Sequence, residues 1–339
     1  MTASRRQLLG AGLATLPWAA PLRAQTPAVQ LRIASVVPKH SLYHQELLEL
    51  GEAWRAAQGP GARFVVFTDG SQGGEAEMVR RMRIGQLQGG LMSVVGLRDI
   101  EPGIAALQNL PLLFRSWEEL DYVRNRMRAG MEKRFLDKGF VVLGWGDAGW
   151  VRFFSTQPAV LPGDYKGRRF FAWGSEPEQQ AIMKGLGYTP VPLETGDALA
   201  AIQTGMIDVL PSTPYFALAS QVHGTARHML EINWAPIVGA LVLTQRAWAA
   251  LSPAGQQALL QAGEKAGLAM RTQARKEVDE ATAAMVRRGL TVSRPNEAQL
   301  REWHQLAEQL YPRIRGTMVP AETFDEVFTH VRAYRAGQR

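Results

Sequence analysis

Cysteine is missing altogether from the 339 residues. That excludes disulfides, thiolate nucleophiles and thiolate metal sites, and it neither requires nor contradicts an oxidising compartment. Past the first 24 residues the chain has no apolar stretch of about 18 residues, the minimum for a membrane-spanning helix, so the mature chain is expected to be soluble. Also missing are G-x-S-x-G, H-E-x-x-H and Walker patterns, which would anchor a hydrolase or nucleotide-enzyme reading. Internal repeats and low-complexity tracts are absent too. At 46% hydrophobic and 20% charged residues the composition is that of a globular protein, long enough for two domains.

The N-terminus departs from that average. Ser4-Arg5-Arg6-Gln7-Leu8-Leu9 leads into an apolar run from Leu8 to Ala20, broken by Pro17, and Leu22-Arg23-Ala24 precedes Gln25. A basic start, a short apolar region and a small residue at the end mark an export signal, and the paired arginines fit the twin-arginine route. Residues 1–24 are therefore read as a removed signal, cleaved after Ala24. Losing Arg5, Arg6 and Arg23 but no acid lowers the formal charge from +7 to +4. So mild an excess asks for no nucleic-acid partner. The densest cluster, Arg80-Arg81-Met82-Arg83, sits in a helical pattern where a solvated face accounts for it.

Through the first two thirds, strand-like runs alternate with helical ones, which predicts α/β architecture. Strands are expected at Val29 to Val36, Arg63 to Phe67 and Leu91 to Val95, with helices at Tyr43 to Ala57, Glu75 to Leu87 and Trp117 to Lys138. Phe140 to Trp145 and Val151 to Ser155 read as strands around a Gly146 to Gly149 turn, followed later by His228 to Asn233 and Val238 to Gln245. Ser252-Pro253 then opens a helical pattern unbroken to Arg288 and closed by Gly289. At 1.5 Å per residue it makes a rod of roughly 50 Å, long enough to cross two lobes. Two amphipathic helices, Asn296 to Arg315 and Ala321 to Arg335, complete the chain.

Ser155 to Pro214 carries the densest pattern: Pro158, the turn Asp164-Tyr165-Lys166-Gly167, a basic-aromatic strand from Arg168 to Trp173, and Ala201-Ile202-Gln203-Thr204-Gly205-Met206-Ile207-Asp208. It reads as a βαβ unit, half of a ligand cleft. With Gly74-Glu75 and Pro111-Leu112-Leu113-Phe114, this order of motifs resembles the DctP-type substrate-binding proteins of TRAP (tripartite ATP-independent periplasmic) transporters over roughly residues 30–330. The resemblance implies a periplasmic, two-lobed binding-protein fold of the type II kind, with lobe-crossing strands and a lobe-spanning helix. It also implies a small organic solute as ligand and the membrane permease subunits as partners. The expected division is residues 25–149 with 237–274 in one lobe, and 150–236 with 275–339, including the C-terminal helices, in the other.

Gly144-Trp145-Gly146-Asp147-Ala148-Gly149 matches G-x-G-x-x-G, yet a strand rather than a helix follows, so a dinucleotide site lacks its context. The glycines are better read as letting the backbone turn and approach a ligand or the opposite lobe. His40 and His44 have helical spacing but no acidic third ligand, so no metal is assigned. No cofactor is expected.

Arg152 stands among Trp150, Val151, Phe153 and Phe154, where a guanidinium needs a partner. The resemblance implies that it helps hold ligand; an ion pair with Asp147 or Asp164 is the structural alternative. The family's usual carboxylate-clamping arginine falls at Phe171 here; either the ligand is still an acid, held by Arg152 and backbone donors, or, the preferred reading, it is less acidic and more apolar, held by the aromatic rings. The expected contacts are Arg152, Phe171, Trp173, Ser212 and Tyr215, then Trp150, His40 and Trp234. The resulting reading is a solute receptor that performs no chemistry. An exported hydrolase on the same scaffold, or a ligand-presenting sensor component, is the alternative.

Overall fold

The computed structural model describes residues 29–338; the export signal read over residues 1–24 lies outside them. In chain order the strands are β1 (Gln30–Ser35), β2 (Arg63–Phe67), β3 (Gly89–Ser93), β4 (Phe140–Trp150), β5 (Arg152–Ser155) and β6 (Arg169–Trp173). They continue with β7 (Thr189–Leu193), β8 (Val209–Ser212), β9 (His228–Leu230), β10 (Pro236–Thr244) and β11 (Thr291–Ser293). Two mixed sheets result, ordered β2-β1-β3-β10-β4 and β11-β9-β5-β8-β6-β7. Each is the floor of one α/β lobe.

The first sheet is buried on both faces. Leu31 and Ile33 of β1 pack with Leu47, Leu50 and Trp54 on one side. On the other, Ala34 joins Met78, Leu97 and Val123.

The chain crosses between lobes where β4 passes into β5 through Val151 and where the segment after β9 returns to β10. The two crossings are hydrogen-bonded to each other, Val151 N–H to Ala235 O at 2.8 Å and Trp234 N–H to Val151 O at 3.2 Å. The third link is the 35-residue helix Pro253–Arg287, roughly 50 Å long. Its N-cap Ser252 Oγ accepts from Gly255 N–H at 3.0 Å, with Pro253 at the first helical position. Leu259 and Met270 bury in the first lobe, and Met285 in the second.

The expected Gly146 to Gly149 turn is instead part of β4, which runs eleven residues with two irregularities against β10. Packing supplies the reason. A β-carbon on Gly144 would overlap the Gly263 carbonyl, one on Gly263 the Leu143 carbonyl, and one on Gly267 the Trp145 carbonyl. The glycines let the long helix lie directly on the strand, so helix and sheet approach backbone to backbone.

Other differences are local. Ser93 ends β3 early because its Oγ accepts from Val95 N–H and starts a single helical turn, Val94–Leu97. β11 has only three residues, too few to show a period. The last helix, Ala321–Gly337, was expected with the second lobe but packs in the first. Phe324, Val327 and Val331 bury beside Leu120, Val123 and Met127, and Arg335 pairs with buried Glu119 at 2.6 Å.

Candidate ligand-binding site

Between the lobes lies a cavity of about 400 Å³. From the first lobe it is lined by the loop at Asp69 and Gly70, the helix start at Glu75, the end of β3 at Ser93, and Tyr43. The second lobe contributes Phe171 and Trp173 from the end of β6, Thr195 and Gly196 from the loop after β7, and Ser212 and Thr213 at the end of β8. Parallel strands deliver loops and helix starts to their carboxyl ends, which is why the site lies there.

Its polar groups are mostly engaged. Glu75 is buried and accepts three hydrogen bonds, from Ser93 N–H at 2.9 Å, Ser93 Oγ at 2.7 Å and Gly96 N–H at 2.9 Å. Burial pushes its carboxyl above the usual range, against the pull of those donors. Asp147 is fully buried and paired with Arg124 at 2.6 Å and Arg275 at 2.9 Å. Tyr43 Oη donates to the Asp147 carbonyl at 3.1 Å, and burial raises that hydroxyl too. Trp173 Nε1 donates to Thr195 Oγ1 at 3.2 Å, and its ring meets Phe171 edge-on at 5.4 Å between centroids. Among the described residues lining this cavity the charged ones are Asp69, Glu75 and Asp147; no lysine, arginine or histidine lines it.

The lobes also touch at the rim. Arg98 of the first lobe reaches Glu176 at 3.2 Å and Glu178 at 3.5 Å in the second. Glu176 is only 1% exposed, and burial raises its carboxyl even though Arg98 pulls it down. Nearby, the Glu194 carboxylate sits where a β-carbon on Gly74 would be.

Of the residues expected from sequence, Phe171, Trp173 and Ser212 meet at this cavity. Tyr215 stands one layer back, against Tyr43 at 5.8 Å and Phe216 at 5.4 Å. Trp150 packs on Trp117 at 4.5 Å in the first-lobe core. Trp234 lines a second, apolar cavity. His40 is exposed outside the cleft, its φ is +66°, and its backbone N–H donates to His44 Nδ1 at 3.1 Å. Arg152 is opposite Ser212 in the ladder but does not line the cavity, its Nη1 donating to Asn233 Oδ1. Neither Asp147 nor Asp164 is its partner. Burial lowers its guanidinium to about 10, which Glu231 and Asp279 oppose.

Sequence reasoning missed Tyr43, Asp69, Ser93, Asp147 and Thr195. Glu75 was noted only as half of a Gly-Glu pair. A side chain satisfied by donors from a loop 18 residues away leaves no local signal.

Residues 33–316 match the family model of bacterial extracellular solute-binding proteins, family 7 (DctP). The chain belongs to this family. As a DctP-family chain it is 27% identical over 244 residues to the uncharacterized protein YiiZ of Salmonella typhimurium, covering 70% of this chain and 73% of that one. Its fold matches DctP7 of Bordetella pertussis, an extracytoplasmic solute receptor binding pyroglutamic acid, with a TM-score of 0.81 at 20% identity over 90% and 100% of the two chains. A TRAP periplasmic solute-binding protein of Shewanella oneidensis with bound succinate matches at a TM-score of 0.81 and 17% identity, over 89% and 99%. The two-lobed α/β architecture expected from sequence is thus the fold of these receptors, and the matched family is one of binding proteins.

Proposed function

We propose that this chain is a periplasmic receptor that captures a small uncharged or cationic organic solute between its lobes and delivers it to a TRAP-type membrane permease. The paired arginines and short apolar region before residue 25 support export. Family membership supports the transport role. The reading of the ligand rests on one observation: no lysine, arginine or histidine lines the cavity. A bound carboxylate would be desolvated there without a charged partner, which is costly. Phe171 and Trp173 offer aromatic faces instead, suited to burial, stacking or a cation over the ring. The solutes named for the two matched structures are both acids; the ligand proposed here differs from them in charge.

Closure follows from the same geometry. Solute contacts from both walls favour the state in which Arg98 meets Glu176, and that state is the one presented to the permease.

The test is a thermal-shift screen of residues 25–339 against polyols, amines and neutral aromatics, with succinate, pyroglutamate and galacturonate as the opposing set. Saturable stabilisation by uncharged or cationic solutes is expected. Stabilisation by carboxylates alone overturns the ligand assignment. Against the best solute, Trp173→Ala should weaken binding about tenfold or more, equivalent to about 1.4 kcal/mol, and leave the melting temperature nearly unchanged.

A further inference from the structure

Behind the main cavity, on the far side of β6 and toward the crossing strands, lies a second cavity of about 150 Å³. Its walls include Phe170, Tyr188, Ile182, Leu186, Trp234 and Trp303. Gln108, Asn109 and Gln179 are its amide-bearing residues, and no charged side chain lines it. Phe171, Trp173, Pro211 and Ile237 line both cavities, so the two adjoin across the Trp173 wall. Trp234 is held by Phe153 at 5.3 Å and Trp303 at 5.6 Å. One side of the chamber is therefore a fixed aromatic surface.

The other side is lightly built. The helix Pro177–Gly185 has no buried side chain, although helices of this length ordinarily hold their place by burying an apolar stripe. Its stripe, Ile182 and Met183 with Leu186 just beyond, is turned to the chamber. At its start the N-cap residue Glu176 meets Arg98 of the first lobe, and along its length Ile182 and Met183 pack half-buried against the neighbouring cores. An apolar chamber of this volume is the size that takes up one benzene ring in place of water.

We propose that the chamber is a specificity subsite that seats one ring-sized apolar end of the solute, while its polar end stays in the main cavity. This rests on the receptor reading above and adds the chemical class: a solute carrying an aromatic ring or comparable apolar group. Seating the ring also buries the stripe of Pro177–Gly185, which couples ligand shape to the lobe contact at Glu176.

The test uses the mature chain with benzene and xenon as probes, beside Leu186→Trp, which fills the chamber. Benzene should raise the melting temperature of the wild type, and a xenon-pressurised crystal should hold xenon among Trp234, Ile182 and Leu186. In Leu186→Trp the apparent benzene affinity should fall about tenfold or more. Ring-bearing solutes from the screen should lose affinity likewise, and ringless ones should keep theirs within about twofold. Ile182→Phe serves as the second filling variant if Leu186→Trp fails to fold. Absence of xenon together with no effect of benzene overturns the subsite, as do equal affinities for ring-bearing solutes in wild type and variant. Either result leaves the receptor reading intact, whereas a screen answered only by carboxylates overturns the ligand assignment independently of the benzene result.

Discussion

The two walls of the cleft are built differently. On the first-lobe side, Asp147 and Glu75 are tied into buried networks, and the long helix lies on β4 with glycines at the contact. On the second-lobe side, Trp173 is held by one side-chain hydrogen bond to Thr195 and the edge contact with Phe171, and the adjacent helix Pro177–Gly185 buries no side chain. The contrast separates an anchoring wall from an adapting one. Groups whose loss would leave a buried charge unpaired belong to the first; groups whose packing a solute can complete belong to the second.

The largest effect expected from breaking that contrast is in the anchoring wall. Asp147→Ala leaves Arg124, whose side chain is 4% exposed, without its closest buried partner, and should cost about 3–5 kcal/mol in urea unfolding. A loss under about 1 kcal/mol would show that Asp121 alone suffices for Arg124. Next comes a matched pair of truncations. Leu47→Ala in the first-lobe core should cost about 2–5 kcal/mol. Ile182→Ala on the lightly packed helix should cost less than about 1 kcal/mol. Equal losses would erase the distinction between the walls.

The smallest effect is a slope with pH. Burial raises the carboxyls of Glu75 and Glu176, so the folded chain holds their protons more tightly than the unfolded chain. Their contribution is complete below the unfolded value of about 4.3 and is lost as pH rises through the raised folded values. Carboxyls lowered by ion pairs, such as Asp208 beside Arg169, act at the acid end instead. The melting temperature should therefore fall as pH rises above about 5, and Glu176→Gln should flatten that slope. An unchanged slope in the variant would remove Glu176 from the account.

Much of the fold was legible because it is local. The Ser252-Pro253 start and Gly289 stop bracket the long helix to within a residue or two, and β2 matches its expected run. The glycines of β4 misled for a physical reason. In sequence they signal a turn, but Gly144 is required by the helix above it, whose Gly263 stands more than a hundred residues away, while Gly146 faces Met270 of that helix and Gly149 faces Thr213 of the other lobe. The site divides in the same manner. Phe171, Trp173 and Ser212 were found because the family resemblance marks those positions, and they lie at the strand ends of a βαβ unit that faces the cleft. Arg152, one strand over, shares the sheet face of Ser212, but its guanidinium is engaged by Asn233 instead of lining the cavity.

By itself the sequence determined the α/β alternation, the lobe-spanning rod, the aromatic strand end and the missing basic residue at Phe171, since caps, periods and motif spacings are written in neighbouring residues. Only tertiary structure decided which charges face the solute, that the last helix belongs to the first lobe, and that an apolar chamber opens beside Trp173. Each of these depends on side chains far apart in the chain being brought within a few ångströms, and no local pattern encodes such distances.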